Sequence, residues 1–202
     1  MKYIAAILIL ISIKGFIPVE VSCSKQIQTD TSLYKISYVK KCTYISITDD
    51  MVLNDSVRFN KLKQEYNNII IQKFTPNQIR SIKEICISNS ESFDYEGSNF
   101  VGLCIAMNYN NSYILIASND DDHLSNLLHE CCHALYFDNI ELFNSKYKDR
   151  WEKLNNQFVS NYAKCSIKED FAETGETYLC KYKIVGCKEK LKLFEEFYNE
   201  TK

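Results

Sequence analysis

The chain has 202 residues, of which 46% are hydrophobic and 13% are aromatic, so it can form one folded domain and is too apolar to be disordered. Its formal net charge of -2 lacks the basic excess typical of nucleic-acid-binding proteins, so no nucleic-acid partner is expected. Five glycines and two prolines leave little room for flexible linkers.

The N-terminal segment has the pattern of a secretory signal. Lys2 precedes an apolar run at residues 4–11 that is too short to span a bilayer. We therefore expect a signal segment at residues 1–23, with cleavage after Cys23 or earlier, and a secreted or extracytoplasmic domain at residues 24–202. The residues around Cys23 also resemble the end of a bacterial lipoprotein signal, so a lipid anchor at Cys23, on the cell surface, is the alternative.

Nine cysteines are many for a cytosolic enzyme and suit an oxidising compartment. Removing Cys23 with the signal leaves eight, an even number that favours disulfides. The spacing does not determine their connectivity. The alternative is that several are free, buried thiols that pack as small apolar side chains.

The N-terminal half of the domain reads as ordinary scaffold. Alternating apolar and polar residues predict strands near residues 34–38 and 43–47. A helix is predicted to begin near residues 54–55, with apolar residues recurring at spacings of three and four. Thr75 followed by Pro76 predicts a second helix start, with isoleucines forming its buried face.

The middle of the chain is predicted to be a loop followed by a hairpin. Residues 88–99 are mostly polar, whereas residues 101–107 and 113–117 are short apolar runs. One of these strands could pair with an extended peptide by adding it to the sheet. A purely structural hairpin is the alternative.

A helix carrying an HExxH motif is predicted next, because three aspartates at residues 120–122 suit a helix N-terminus and apolar residues follow at helical spacing. His129 and His133 are four residues apart, so they lie on one helix face and can bind one metal ion. Glu130 lies about 100° further round the helix, from where it can take a proton from a zinc-activated water.

Three other residues near the motif, one histidine and two cysteines, are of types that can bind a metal but are predicted to have other roles. His123 lies about 120° from His129 around the helix and reads as a surface or capping residue. Cys131 and Cys132 read as core residues or disulfide partners. Residues 140–158 have the apolar spacing of a further packing helix.

A catalytic zinc site usually has three protein ligands, so the two histidines require a third. The metzincin pattern does not continue here, because Tyr136 and Asn139 stand where a glycine and a third histidine are needed. A downstream segment with helical character offers three carboxylates instead: Glu169, Asp170 and Glu173.

The motifs HECCH and EDFAET together resemble the zinc metallopeptidases of the gluzincin clan related to anthrax lethal factor and the Pro-Pro endopeptidases. The resemblance includes residues 158–163, which are similar to the FVS-x-YA stretch of that family, and covers about residues 119–198. It implies that Glu173, the last glutamate of EDFAE, binds zinc with His129 and His133. It also implies that Tyr162 lines the site, where its hydroxyl would stabilise the oxyanion.

Two features near this motif receive separate readings. Glu169 and Asp170 then read as charges at a helix N-terminus or as acceptors that orient a ligand imidazole. Gly175-Glu176 departs from the family, which has apolar residues there, and this predicts a looser helix after the ligand.

The expected function is that of a secreted zinc-dependent metallopeptidase that hydrolyses peptide bonds, with Zn2+ as cofactor and Glu130 as general base. The expected fold is α+β, a single zincin-like domain with a small sheet beside the HExxH helix and further packing helices. We expect a monomer without a membrane span, acting on peptide or protein substrates. The first alternative is a non-catalytic zinc-binding extracellular interaction module, and the second is a metal-free protein held together by disulfides.

Overall fold

The computed structural model describes residues 34–36, 43–47 and 56–202, except residues 89–90, 96–97 and 109–110. The predicted signal segment with its alternative lipid anchor, and the predicted helix start at residues 54–55, lie outside the described residues.

The described residues contain both strands and helices. The strands are β1 (Tyr34–Ile36), β2 (Thr43–Ile47), β3 (Ile82–Ser88), β4 (Phe93–Tyr95), β5 (Ser98–Phe100), β6 (Gly102–Asn108) and β7 (Asn111–Ala117). The α-helices are α1 (Ser56–Lys73), α2 (His123–Asp138), α3 (Ile140–Leu142), α4 (Lys148–Glu152), α5 (Ile167–Cys180) and α6 (Lys188–Glu200). The protein is therefore mixed α+β, as predicted.

The main sheet of the described strands has five members in the order β1-β2-β3-β7-β6. β2, β3 and β7 are parallel to one another, whereas β1 and β6 are antiparallel to their neighbours and lie at the two edges. β6 and β7 form the predicted hairpin, and β2 coincides with the predicted strand at residues 43–47. β4 and β5 form a separate small hairpin inside the segment predicted to be a loop.

The predicted helix starting at Thr75 is wrong. Residues 75–81 form turns, in which the Thr75 backbone N–H donates to Gln78 Oε1 at 2.9 Å, and β3 begins at Ile82. Ile85 and Ile87 are both fully buried within the sheet. β-Branched side chains at alternate positions favour a strand. The hydrogen bonding that begins at Thr75 continues for only one turn.

Helix α2 lies at the centre of the packing. It contacts β6 and β7 on one side and α5 on another. Every residue from Asn126 to Tyr136 is buried, so the HExxH motif sits in the interior. The helix therefore holds the motif between the sheet edge and α5.

The predicted packing helix after α2 is shorter and less regular than expected. A π-helical turn, Phe143–Tyr147, separates α3 from α4, and α4 ends at Glu152. Phe143 and Trp151 are buried, and both pack edge-on or tilted against Phe171 of α5 at 5.4 to 5.6 Å between ring centroids. This aromatic packing joins the segment after α2 to α5.

A buried ion pair joins α5 to the C-terminal helix α6. Lys190 Nζ donates to Asp170 Oδ2 at 2.7 Å, and Trp151 Nε1 donates to the same oxygen at 2.7 Å. The Lys190 side chain is 0% exposed, so the carboxylate and the ammonium neutralise each other in the core. This network fixes the start of α5, where Glu169 directly precedes Asp170.

The described cysteines are free thiols, so the predicted disulfides are not formed among them. Cys131 and Cys132 are fully buried in the hydrophobic core, where they pack as small apolar side chains. Cys23 and Cys42 lie outside the described residues.

Among the helices of the described residues, none combines the length and the apolar character needed to cross a bilayer.

Candidate metal centre

The two motif histidines converge on one point, as the four-residue spacing predicts. Nε2 of His129 lies 3.1 Å from Nε2 of His133, and the rings are 4.8 Å apart between centroids. Both side chains are buried. One helix face therefore presents two imidazole nitrogens to a shared position.

Helix α5 adds a carboxylate to this pair. Ser166 caps the helix, because its side-chain oxygen accepts a hydrogen bond from the Glu169 backbone N–H at 3.2 Å. The cap directs the first turn of α5 towards α2. Glu169 Oε2 lies 3.3 Å from Nε2 of His129 and 3.3 Å from Nε2 of His133.

These three atoms have the spacing of a metal-ligand set. Ligands at 2.0–2.1 Å from a tetrahedral zinc ion are about 3.3 Å apart. The triangle formed here has sides of 3.1, 3.3 and 3.3 Å. Glu169 Oε2 is buried but makes no aligned hydrogen bond with described residues. These three ligand-type atoms therefore converge on one point at the spacing that a bound zinc ion requires.

The opposite nitrogen of His129 faces two more carboxylates. Its Nδ1 lies 3.2 Å from Glu173 Oε1 and 3.4 Å from Glu176 Oε2. Acceptors at this distance keep the proton on Nδ1, which leaves the lone pair on Nε2 for a metal. These three groups also lie close enough together to form a second possible ligand set, but they are more exposed than the Glu169 triangle.

The structure places Glu169 and Glu173 differently from the sequence prediction. Glu173 was predicted to complete the ligand set with both histidines, but the structure places it at Nδ1 of His129. Glu169, predicted to be a helix charge or an orienting acceptor, lies at the two Nε2 atoms instead. The two glutamates are one helical turn apart on the same face, so the sequence motif leaves this choice to the docking of α5.

Glu130 lies beside the triangle and against the edge strand. The Cys104 backbone N–H donates to its carboxylate, and a side chain at Gly102 would come within 2.7 Å of its Oε1. Burial raises the pKa of Glu130 to about 8, although the charge on His129 partly opposes this rise. Its Oε2 is buried and has no hydrogen-bond partner among the described residues. This oxygen is available to accept a proton.

Tyr162 lies on the same side of α5 as the site. It begins a 3-10 turn, Tyr162–Cys165, and its ring centroid is 6.3 Å from that of His129. Ser160 stabilises the turn by accepting a hydrogen bond from Ala163 N at 3.0 Å, and its hydroxyl contacts Glu173. The predicted Tyr162 is therefore brought close to the histidine pair.

The charges around the pair are mainly negative. Burial opposes a positive charge on His129, but the adjacent Glu169, Glu173 and Glu176 outweigh it and raise the pKa of His129 well above its usual range. Burial also opposes ionisation of Glu169, but the two imidazoles outweigh it and lower its pKa to about 2. Several carboxylates around two imidazoles favour a divalent cation.

Other residues near the motif take structural roles. His123 is the first residue of α2, and its Nδ1 lies 3.1 Å from the Tyr66 hydroxyl, so it is not part of either ligand set. Gly175 does not loosen α5, which continues to Cys180. A Cβ at Gly175 would lie only 2.5 Å from Cys132 Sγ and 2.8 Å from the Phe194 ring, so glycine permits close packing there.

Comparison of the chain with protein-family models, with curated proteins and with solved structures finds no match in any of the three.

Proposed function

We propose that the protein is a zinc-dependent peptide hydrolase with a zincin-like arrangement of the HExxH helix beside a sheet edge. The observation that carries the proposal is the convergence of His129 Nε2, His133 Nε2 and Glu169 Oε2 next to a buried Glu130 oxygen without a hydrogen-bond partner. A structural ion pair or a packed core does not require two imidazole nitrogens and a carboxylate oxygen to converge at the spacing of zinc ligands.

His129, His133 and Glu169 would hold the metal. Two imidazole nitrogens and one carboxylate oxygen are donors that suit zinc better than Mg2+ or Ca2+, which prefer oxygen-only sites. When bound, zinc supplies Lewis-acid chemistry that lowers the pKa of water and polarises a carbonyl. Glu173 and Glu176 hold the His129 ring in the tautomer that presents Nε2.

Glu130 would act as the general base and then as the proton donor. The Cys104 N–H holds one part of the carboxylate, while Oε2 remains available. The carboxylate takes a proton from the attacking water and gives it to the leaving amine. The pKa of about 8 that burial gives Glu130 lies near neutral pH, where a group can both accept and return a proton.

Tyr162 would donate its hydroxyl hydrogen to the oxyanion that forms when water adds to the peptide carbonyl. The 6.3 Å separation between its ring and that of His129 supports this role, because a side chain that reaches the oxyanion must lie beside the metal ligands. The resemblance to the gluzincin clan supports it independently.

The substrate would lie along β6. Among the described strands, β6 pairs only with β7, so an extended peptide would add at its other edge, where the Cys104 N–H donates to Glu130. β6 also contacts Glu130 through Gly102 and Cys104, so a peptide added at this edge would pass close to the general base.

Metal analysis and a peptide library test the proposal together. We expect one zinc per chain in the purified protein and cleavage of at least some library peptides. Glu130→Gln should retain the zinc and lower activity by about 10²- to 10⁴-fold, the usual contribution of a general base. Zinc binding without cleavage, with no difference between the wild type and Glu130→Gln, would disprove the hydrolase.

That last outcome would support the second candidate, a non-catalytic zinc-binding extracellular interaction module. The deep burial of the three ligands favours it, since Glu169 is 3% exposed and His133 is 0% exposed. In this case zinc would join α2 to α5 and stabilise the fold without chemistry.

A further inference from the structure

Lys168 lies immediately beside the candidate metal centre, close enough to Glu169 and His133 to interact with both electrostatically. Lys168 directly precedes Glu169 in the first turn of α5 and is partly buried. Its ammonium makes no ion pair with any described carboxylate, because Glu169 is directed at the two imidazoles. Lysine side chains commonly bury the aliphatic stem and keep the ammonium accessible.

The Lys168 ammonium lies over an aromatic ring. Lys168 Nζ lies 5.6 Å from the centroid of the Phe137 ring. Phe137 is one helical turn after His133 on α2, and the two rings stack with centroids 6.4 Å apart. The ammonium, the aromatic ring and the buried His133 ring therefore follow one another in contact, with the ammonium within about 12 Å of the His133 ring.

The location of Lys168 is not explained by the stability of the helix. Position two of a helix favours acidic residues, because the exposed N–H groups there carry partial positive charge. A lysine at this position interacts unfavourably with the helix dipole, and Lys168 forms no ion pair with a described residue. Lys164, four residues earlier, is exposed, and its ammonium donates a hydrogen bond to Asn161 Oδ1 at 2.9 Å.

We propose that Lys168 and Phe137 form a binding site for a carboxylate of the substrate, so that peptides with an acidic group close to the scissile bond are preferred. Lys168 supplies the positive charge, and Phe137 provides an apolar wall for the carbon chain that carries the carboxylate. An extended peptide advances about 3.3 Å per residue. The separation of up to about 12 Å between the Lys168 ammonium and the His133 ring therefore places the acidic group within about three residues of the scissile bond. This inference rests on the proposed hydrolase function.

The carboxylate can come from an aspartate or glutamate side chain or from the C-terminus of the peptide. A randomised peptide library with the zinc-loaded protein first identifies sequences that are cleaved. End-blocked pairs that differ only by Glu against Gln, placed at each of the three positions on either side of the bond, then report on side chains. Pairs that differ by a free or an amidated C-terminus report on the terminal carboxylate.

In one of the two sets of pairs, we expect the acidic peptide to have a kcat/KM at least tenfold higher than that of its neutral partner. This is the factor that a charge-assisted contact provides. Lys168→Met should remove this ratio, and Lys168→Glu should reverse it. Lys164→Met is the matched control and should keep the wild-type ratio. Zinc content and thermal stability, measured for each variant, identify any variant that has lost the site or the fold.

The outcomes separate the two proposals. Cleavage with no acidic preference in either arm, or a preference that persists in a folded, zinc-loaded Lys168→Met variant, overturns the carboxylate site and leaves the hydrolase intact. Absence of cleavage of any peptide by the zinc-loaded wild type overturns the hydrolase and this inference with it.

Discussion

Glu169 and Glu173 contact opposite nitrogens of one imidazole. Glu169 Oε2 lies 3.3 Å from Nε2 of His129, and Glu173 Oε1 lies 3.2 Å from Nδ1 of the same ring. In the function proposed above, one glutamate binds the metal and the other orients the ring. The two roles make different demands on a carboxylate, and substitutions can distinguish them.

Replacing each glutamate by glutamine should weaken zinc binding to different extents. Glu173→Gln keeps an acceptor oxygen for Nδ1, so we expect zinc affinity to fall about 10- to 100-fold, as for other residues that orient a ligand. Glu169→Gln removes an anionic ligand and should reduce affinity by a larger factor. Competition with a chromophoric chelator measures both constants, and the opposite ranking would return the ligand role to Glu173.

Removing zinc should destabilise the fold, because the carboxylates around His129 and His133 then face one another without a cation. At a free zinc concentration about 1,000 times the dissociation constant, binding adds about 4 kcal/mol to the free energy of unfolding. For a domain of this size, that corresponds to a fall of roughly 10 °C in Tm on chelation. Calorimetry with and without a chelator measures it, and an unchanged Tm would count against a metal bound by the native state.

Gly102→Ala should impair the general base without removing the metal. The new methyl group would lie 2.7 Å from Glu130 Oε1, so the carboxylate must move. We expect kcat to fall about 10²-fold, with the zinc content unchanged. Gly186→Ala is a control, because Gly186 has φ +95° with no atom within 4 Å of the added Cβ, so strain there affects stability and not the site. Equal kcat values for Gly102→Ala and the wild type would show that Glu130 tolerates the shift.

Lys190→Met should destabilise the protein strongly. It leaves the buried Asp170 carboxylate with only the Trp151 N–H as a partner, at an expected cost of about 3–5 kcal/mol in the free energy of unfolding. Adding Asp170→Asn removes the uncompensated charge and should restore part of the loss. Lys188→Met, at an exposed position two residues earlier, serves as the control. Urea unfolding is measured for the wild type, Lys190→Met, Asp170→Asn, the double variant and Lys188→Met, and additive effects of the two core substitutions would exclude the coupling.

The convergence of two imidazoles on one face of α2 could be predicted from sequence because it depends on local geometry alone. Residues four apart on a helix share a face whatever the rest of the fold does, and His129 and His133 do so here. The third ligand depends on how α5 docks. Glu169 and Glu173 both satisfy the helical periodicity, and a shift of one turn, about 5.4 Å, decides between them.

The same distinction explains the error at β3. Thr75 and Pro76 carry a genuine local signal for a helix start, and one turn does form there. The isoleucines that follow are placed by pairing with β2 and β7, both distant in sequence, and this pairing determines that they form a strand. Likewise, an even number of cysteines favoured disulfides, whereas the described thiols lie in core packing that a count does not reveal.

The ion pair between Asp170 and Lys190 makes completion of the candidate site depend on α6, which follows α5 in the chain. While α6 is still inside the ribosome, the nascent chain lacks the ammonium that neutralises the residue next to Glu169. The cluster of His129, His133 and Glu169 is therefore expected to assemble only after α6 has emerged.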